Sequence, residues 1–543
     1  MKKRSRCSAL FCVPALALAA LFSVPAIAAE ANSAQAPHEA VPAVSAGEYA
    51  VLISEETAAR EDWRAAAEKF VAHYAGTLVV WRGNDVFSAR EELQKLRPRY
   101  VAVFAAPEEI DRKFVADLHR LSRQIVPDIY GDFLWGIISG ANAEIAAAQL
   151  APAEPLVPER AIGTTNFEGT RFKHAFFITD WKADQFVETL NYKIGEKTDV
   201  PAGTQTVDFF AQKWAEIAPQ FVITSSHATE FNVEMPFSKG LIASAGTDFY
   251  VVPAARMKEF MQRLGNVPET QKFLRDGGFE TLARDGTPKI WIAAGNCLFG
   301  DSLRSPFSMA QTAISAAGVR QLVGYTIPTW FGEMGWGTNA KFFNNHQAAS
   351  VGQAWFFTNQ ILLNALPPVL AEIDFPLEAG GFEGVSARGL TQVLDAHKDD
   401  PEVFKRENLG RLYDRDTTAF YGDPLFPVRF DANAPSQPLW NCTLTETAAG
   451  TQVFSVKSAN GQAAKGDFCL WFPRRFDTQK KFSAKRVFPR RNPTEISVRK
   501  ARAEAPKPTI LTENFAVFRN LELSEGETLE LRVPAQKSVP AAP

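Results

Sequence analysis

The sequence predicts an α/β protein: a mostly parallel sheet flanked by helices, followed by a smaller antiparallel, β-sandwich-like domain. Three observations support this. Between residues 48 and 430, apolar runs of strand length alternate with amphipathic stretches of helix length, the pattern of a parallel sheet covered on both faces. From residue 431 the helical periodicity stops, and short alternating segments separated by turn residues take over. The chain has 543 residues, 46% of them hydrophobic, enough for a large core and two or three domains.

The first 28 residues have the layout of a cleaved signal peptide. "MKKRSR" is a charged start, "ALFCVPALALAALFSVP" an apolar stretch, and "AIA" at Ala26–Ala28 the small-residue pattern that a signal peptidase needs. Pro14 and Pro25 break the apolar stretch and no stop-transfer pattern follows, so no membrane span is expected after cleavage. Export to the periplasm, cell envelope or medium is implied. Residues 29–47, rich in Ala, Pro and Ser, are expected to be a flexible lead-in.

The strand–helix alternation then begins. "YAVLIS", "TLVVW" and "YVAVFAA" are expected strands, separated by helices over "EETAAREDWRAAAEKFVAHYA" and "SAREELQKLR". "PEEIDRKFVADLHRLSRQI" opens with Pro107 and two acids, a helix start. Leu150–Gly169 is Pro-rich and predicts a loop or insertion, with a subdomain break near residue 170. "HAFFITDW" and "FVITSS" predict strands around a helix in "TVDFFAQKWAEIAP", and "GLIASAGTDFYVVPA" a hairpin. "KIWIAAGN", a helix in "SPFSMAQTAISAAG" and the strand "RQLVGYT" come next. The Gly- and Trp-rich loop "IPTWFGEMGWGTN" is expected to lead into one long helix from about Asn339 to Ala365. In residues 431–543, "LWNCTLTET", "TQVFSVKSA", "DFCLWFP", "FAVFRNLEL" and "TLELRVP" predict the antiparallel domain.

Composition narrows the function. A net charge of -3 leaves no electrostatic footprint for nucleic acid. There is no CxxC or HxxxH for a metal and no GxSxG elbow for a serine nucleophile. Signal removal deletes Cys7 and Cys12 and leaves Cys297, Cys442 and Cys469. An exported compartment permits disulfides. Cys442 and Cys469 flank an expected strand pair in one small domain, which predicts that they bridge each other and that Cys297 is left over.

Two strands end in candidate reacting groups: "FVITSSHATE" runs into His227 and "KIWIAAGNCLFG" into Asn296 and Cys297. Loops at the carboxyl ends of parallel strands present side chains to a shared crevice. If the two strands are neighbours, imidazole and thiol face each other there, an arrangement that favours thiolate and lets His⁺ protonate a leaving amine. A buried cysteine filling the core and a histidine held in a turn are the plain alternatives.

Residues 49–424 resemble the catalytic domain of the gingipain-type cysteine peptidases of the caspase-like clan, as a divergent member. That family places His-Gly at the end of one strand and Cys, after a small or amide residue, at the next. Here "VITSSHA" supplies His227 and "IWIAAGNC" supplies Cys297, while "CLFGD" resembles the Cys-x-x-Gly that follows the family nucleophile. "AAGVRQLVGYT" resembles the next strand, and "YGDPLF" the Gly-Asp-Pro near the domain end. The resemblance implies endopeptidase activity through a Cys–His dyad and a thioester, on protein or peptide substrates, commonly after Arg or Lys. It needs no cofactor for the chemistry and implies structural calcium, for which no EF-hand pattern supplies ligands.

The backbone N–H groups of Ala228 and Cys297 are the implied oxyanion donors. The family has Gly at the first of these positions. If it requires φ > 0, alanine costs roughly 1 kcal/mol or more, and losing one oxyanion donor costs about 3 kcal/mol in the transition state. Asn296 is expected to be a structural hydrogen-bonding residue. Trp330 and Trp336, with Gly332, Gly335 and Gly337, are the expected specificity slot. A carboxylate selecting a basic side chain is expected among Glu230, Glu234, Asp301 and Glu333. The competing expectations are a binding or structural protein of the cell envelope whose catalysis has weakened, for which Ala228 speaks, and a hydrolase of non-peptide amides.

Overall fold

The structure, a computed structural model, describes residues 47–346, 349–371, 395–488 and 504–536. The signal peptide and nearly all of the flexible lead-in therefore lie outside the described residues. The α/β part holds strands β1 (Tyr49–Ser54), β2 (Thr77–Trp81), β3 (Tyr100–Phe104), β4 (Leu134–Ile138), β5 (Arg160–Gly163), β6 (His174–Ile178), β7 (Gln185–Leu190), β8 (Lys193–Ile194), β9 (Thr198–Asp199) and β10 (Phe221–Thr224). Next come β11 (Ala228–Thr229), β12 (Asn232–Glu234), β13 (Leu241–Ser244), β14 (Phe249–Val252), β15 (Lys289–Ala293), β16 (Val319–Tyr325) and β17 (Thr418–Tyr421). The predicted class holds: one large, mostly parallel sheet flanked by helices, with separate antiparallel sheets.

The large sheet runs β2-β1-β3-β4-β17-β16-β15-β10-β5-β6-β7-β8. It consists of two parallel blocks, β2-β1-β3-β4 and β16-β15-β10-β5-β6, sutured by β17, which is parallel to β4 and antiparallel to β16. Strands such as β1, β3 and β15 are buried along their whole length, which is why they read as continuous apolar runs. "YGDPLF" begins at the last residue of this suturing strand. A Cβ on Gly422, whose φ is +116°, would come within 2.1 Å of the Arg320 carbonyl, and one on Gly136 within 2.1 Å of the Gly422 carbonyl. Asp423 then accepts from Tyr49 Oη (3.0 Å), Tyr74 Oη (2.7 Å) and the amides of Ala151 and Leu425 (both 3.0 Å).

The C-terminal part forms two antiparallel sheets. One is built from β18 (Trp440–Glu446), β19 (Thr451–Ser458), β24 (Thr528–Pro534) and β21 (Ser483–Val487); the other from β20 (Ala464–Trp471), β23 (Phe515–Leu523) and β22 (Ile510–Leu511). They share a core that includes Trp440, Phe454 and Leu531 from the first sheet and Phe468, Leu470 and Phe518 from the second. The alternate residues of β20 and β23, among them Cys469, Trp471, Phe515 and Val517, belong instead to the α/β core. Trp471 meets Phe356 edge-on at 5.3 Å, and Arg99 donates to the Pro473 carbonyl at 2.6 Å. The β domain is thus packed into the α/β body and is not a tethered module.

Three expectations need correction. The Cys442–Cys469 disulfide is not formed. The two residues lie on different sheets, with Cys469 facing the α/β body and Cys442 packed against the sandwich core. The long helix is two, Glu333–Asn344 and Val351–Ala365. Between them Asn345 leaves the helix and its carboxamide pairs with Cys469, accepting from the amide (2.9 Å) and donating to the carbonyl (2.8 Å). The Pro-rich stretch conceals β5, a strand inside the second block, so the two blocks part before Arg160 and not at residue 170.

Candidate active site

β10 and β15 are parallel neighbours, and the last register pair is Thr224 with Ala293. His227 follows three residues past the end of one strand, and Cys297 four past the other. The connecting backbones touch: a Cβ on Gly295 would lie 2.3 Å from Ser225 Oγ. Asn296, fully buried, donates Nδ2 to the Ser226 carbonyl at 2.9 Å. The residue before the thiol is therefore tied to the residue before the imidazole.

Beyond Cys297 the chain turns sharply, with Leu298 at φ +59°. The amides of Leu298 and Gly300 donate to the carbonyls of Ile327 (3.2 Å) and Tyr325 (2.8 Å), so the loop lies across the end of β16. A Cβ on Gly300 would come within 2.2 Å of the Gly324 carbonyl. That close approach accounts for the glycine in Cys-x-x-Gly. Thr329, just past β16, donates its amide to Cys297 Sγ at 3.2 Å and its hydroxyl to the Asn296 carbonyl at 3.2 Å.

The His227 side chain is exposed, while its carbonyl accepts the Glu234 amide at 2.8 Å. Ala228 opens β11, the edge of the four-stranded sheet β11-β12-β13-β14, opposite Val233. Its φ is not positive, so the penalty feared for alanine does not arise. Since the Glu234 amide is spent on His227, ladder alternation turns the Ala228 N–H away from β12, toward the free edge.

Burial pushes the Cys297 thiol above its ordinary range, outweighing the lowering effect of the Thr329 amide and hydroxyl, and the nearby Glu230 carboxylate adds to the rise. Burial therefore favours the protonated thiol over the thiolate at rest. Glu230 is held up by its own burial, with Arg112 opposing. Asp301 is completely buried and 3.3 Å from Arg112 Nε, so it lines no open slot. Glu234 accepts the Ser238 hydroxyl at 2.8 Å, and Glu333 pairs with Arg411 at 3.2 Å. Of the four expected carboxylates, Glu230 is the one whose charge acts on the thiol.

Trp330 and Trp336 are 47% and 38% exposed. Trp330 meets Tyr413 edge-on at 5.8 Å, and Tyr413 Oη donates to the Pro328 carbonyl at 3.0 Å. The three glycines around the tryptophans serve helix packing more than a slot. Gly332, at φ +82°, caps helix Glu333–Asn344, and its Cβ would lie 3.4 Å from Trp336 Cδ1. A Cβ on Gly335 would sit 2.0 Å from the Ala294 carbonyl, and one on Gly337 2.6 Å from Thr358 Cγ2. The helix thus rests directly on the strand end that leads to Cys297.

No family model matches the chain, and neither does a curated protein. Among solved structures it is similar to the Arg specific cysteine proteinase gingipain R (RgpB), at 10% identity and a TM-score of 0.38, over 92% of this chain and 94% of that one. It is also similar to the complex of Porphyromonas gingivalis RgpB pro- and mature domains, at 10% identity and a TM-score of 0.35, over 90% and 94%.

Sequence reasoning missed Thr329, Tyr413 and Arg112. Thr329 had a usable signal, because it sits just past a strand that neighbours the cysteine strand. Tyr413 and Arg112 had none, being brought in from distant helices. Among the described residues no group of three His, Cys, Asp or Glu side chains is placed to hold a metal. No helix among them is long and apolar enough to cross a membrane.

Proposed function

We propose that the chain is an exported cysteine endopeptidase acting through Cys297 and His227. The observation that carries this reading is the register of β10 and β15, which sets the two residues on adjoining loops at the carboxyl ends of neighbouring central strands. His227 accepts the Sγ proton as the sulfur attacks the scissile carbonyl, a role suited to a protonated resting thiol. The amides of Ala228 and Cys297 receive the oxyanion. The imidazolium then protonates the departing amine, and the neutral imidazole activates water to cleave the thioester. Substrates are proteins or peptides. A basic side chain before the scissile bond would meet Glu230, with Trp330 and Trp336 as apolar walls.

A peptidyl electrophile with arginine at the reacting position tests this. Wild type should be labelled at Cys297, Cys297→Ala not at all, and His227→Ala about a hundredfold more slowly. Equal labelling of wild type and His227→Ala would refute the dyad. The exposed His227 and the raised thiol favour a second reading, a cell-envelope binding or structural protein with weakened catalysis. A folded wild type that the electrophile leaves unlabelled would favour it.

A further inference from the structure

Both loops of the site are gripped from the other half of the sheet. Helix Arg112–Ser122 follows β3 in the first block, and its start reaches the loops that follow β10 and β15 in the second. Arg112 is fully buried, with Nε 3.3 Å from Asp301 Oδ2 and Nη2 4.0 Å from Glu230 Oε1. Glu230 lies three residues past His227 and Asp301 four past Cys297. Asp111 caps the same helix through the Phe114 amide (2.8 Å) and accepts Arg304 Nε at 2.8 Å, while the Arg304 amide donates to the Ile110 carbonyl at 2.9 Å. Leu303 and Arg304 both have positive φ, +47° and +54°. Such conformations are unfavourable for these residues and persist where surrounding contacts impose them.

We infer that Arg112 is a positioning residue of the dyad: it clamps the histidine loop through Glu230 and the cysteine loop through Asp301, and offsets the carboxylate charge beside the sulfur. The inference rests on the Cys297–His227 reading, but it concerns the state of the sulfur and not peptide cleavage. A carboxylate near a thiol disfavours thiolate, and a guanidinium beside that carboxylate cancels part of the effect. The charged and titratable groups facing this cluster include Glu230, Asp301, Asp111, Arg112 and Arg304, the Tyr421 hydroxyl near Asp301 and Asp111, and the Tyr413 hydroxyl, which feels the charge of the sulfur.

The test is the rate of iodoacetamide alkylation of Cys297 against pH, read by mass spectrometry of the peptide containing it, in the full chain. Below the thiol pKa the rate follows the thiolate fraction, so a one-unit shift changes it about tenfold. Arg112→Met should slow alkylation at neutral pH roughly tenfold, Glu230→Gln should accelerate it several-fold, and Arg112→Lys should stay near wild type. In the double variant the arginine change should add little, because the charge it offsets is gone. An unchanged rate in Glu230→Gln overturns the inference, as does an equal effect of Arg112→Met with and without Glu230. Should Arg112→Met not fold, Glu230→Gln alone decides, since that side chain is partly exposed. Peptidyl labelling that fails while this pattern holds refutes the peptidase reading and leaves the clamp standing.

Discussion

The Asn296 carboxamide donates to the Ser226 carbonyl across 2.9 Å, and the Asn296 carbonyl accepts the Thr329 hydroxyl at 3.2 Å. One buried residue thereby joins the loops that follow β10, β15 and β16. Asn296→Leu keeps much of the volume and removes the tie. A neutral hydrogen bond is worth about 1 kcal/mol net, so the fold should survive, with a slightly lower urea midpoint. Labelling by the peptidyl electrophile should fall at least about tenfold, because it needs His227 in register with the sulfur. Alkylation by iodoacetamide should change far less. Equal losses with both reagents would mean that Asn296 acts on the thiol itself.

Thr329 lowers the Cys297 thiol through both its amide and its hydroxyl. Thr329→Val deletes the hydroxyl and keeps the amide, so the thiol pKa should rise and the alkylation profile should move to higher pH. Thr329→Ser should restore the wild-type profile. A Val variant with an unmoved profile would assign the hydroxyl to Asn296 alone.

Gly335→Ala tests the packing of helix Glu333–Asn344 on the cysteine strand. The added methyl meets the Ala294 carbonyl at 2.0 Å, a backbone atom that can move only with the strand end. Overpacking of this kind costs about 1–3 kcal/mol. The thermal midpoint should drop, and Cys297 labelling should fall beyond what the stability loss explains. Gly332→Ala instead meets a side-chain atom at 3.4 Å, and its cost should come from the φ of +82°.

Asp414 is fully buried beneath that helix, accepting the Met334 amide and the Tyr325 hydroxyl, both at 3.1 Å. Burial, the largest influence, pushes its carboxyl up to about 7. The protonated form is therefore favoured in the folded state. Its contribution to stability is complete below the unfolded value of about 4 and is lost as pH rises through about 7. Between these limits wild type should lose stability relative to Asp414→Asn, with a slope of up to about 1.4 kcal/mol per pH unit. Parallel stability–pH curves for the two proteins would show that Asp414 titrates normally.

Much of the fold was legible because it depends on local pattern. β1, β3 and β15 are buried on both faces and read as unbroken apolar runs. β5 was not legible, since four residues just after Pro152, Pro155 and Pro158 look like a loop until neighbouring strands cover them. The break at Asn345 was also hidden, because its carboxamide leaves the helix to pair with Cys469, far along the chain. The failed disulfide has the same root: strand alternation turns Cys469 toward a partner surface that no local pattern announces.

For the site, the chain order of residues determined which groups could react: an imidazole and a thiol, each just past an apolar strand, with glycines where backbones approach closely. Tertiary structure decided that the two strands are adjacent, that Ala228 needs no positive φ, and that Asp301 is walled in beside Arg112. It also decided the protonation of Cys297. Desolvation and the charge of Glu230 act through space, so they depend on what packs around the sulfur and not on the residues that flank it in the chain.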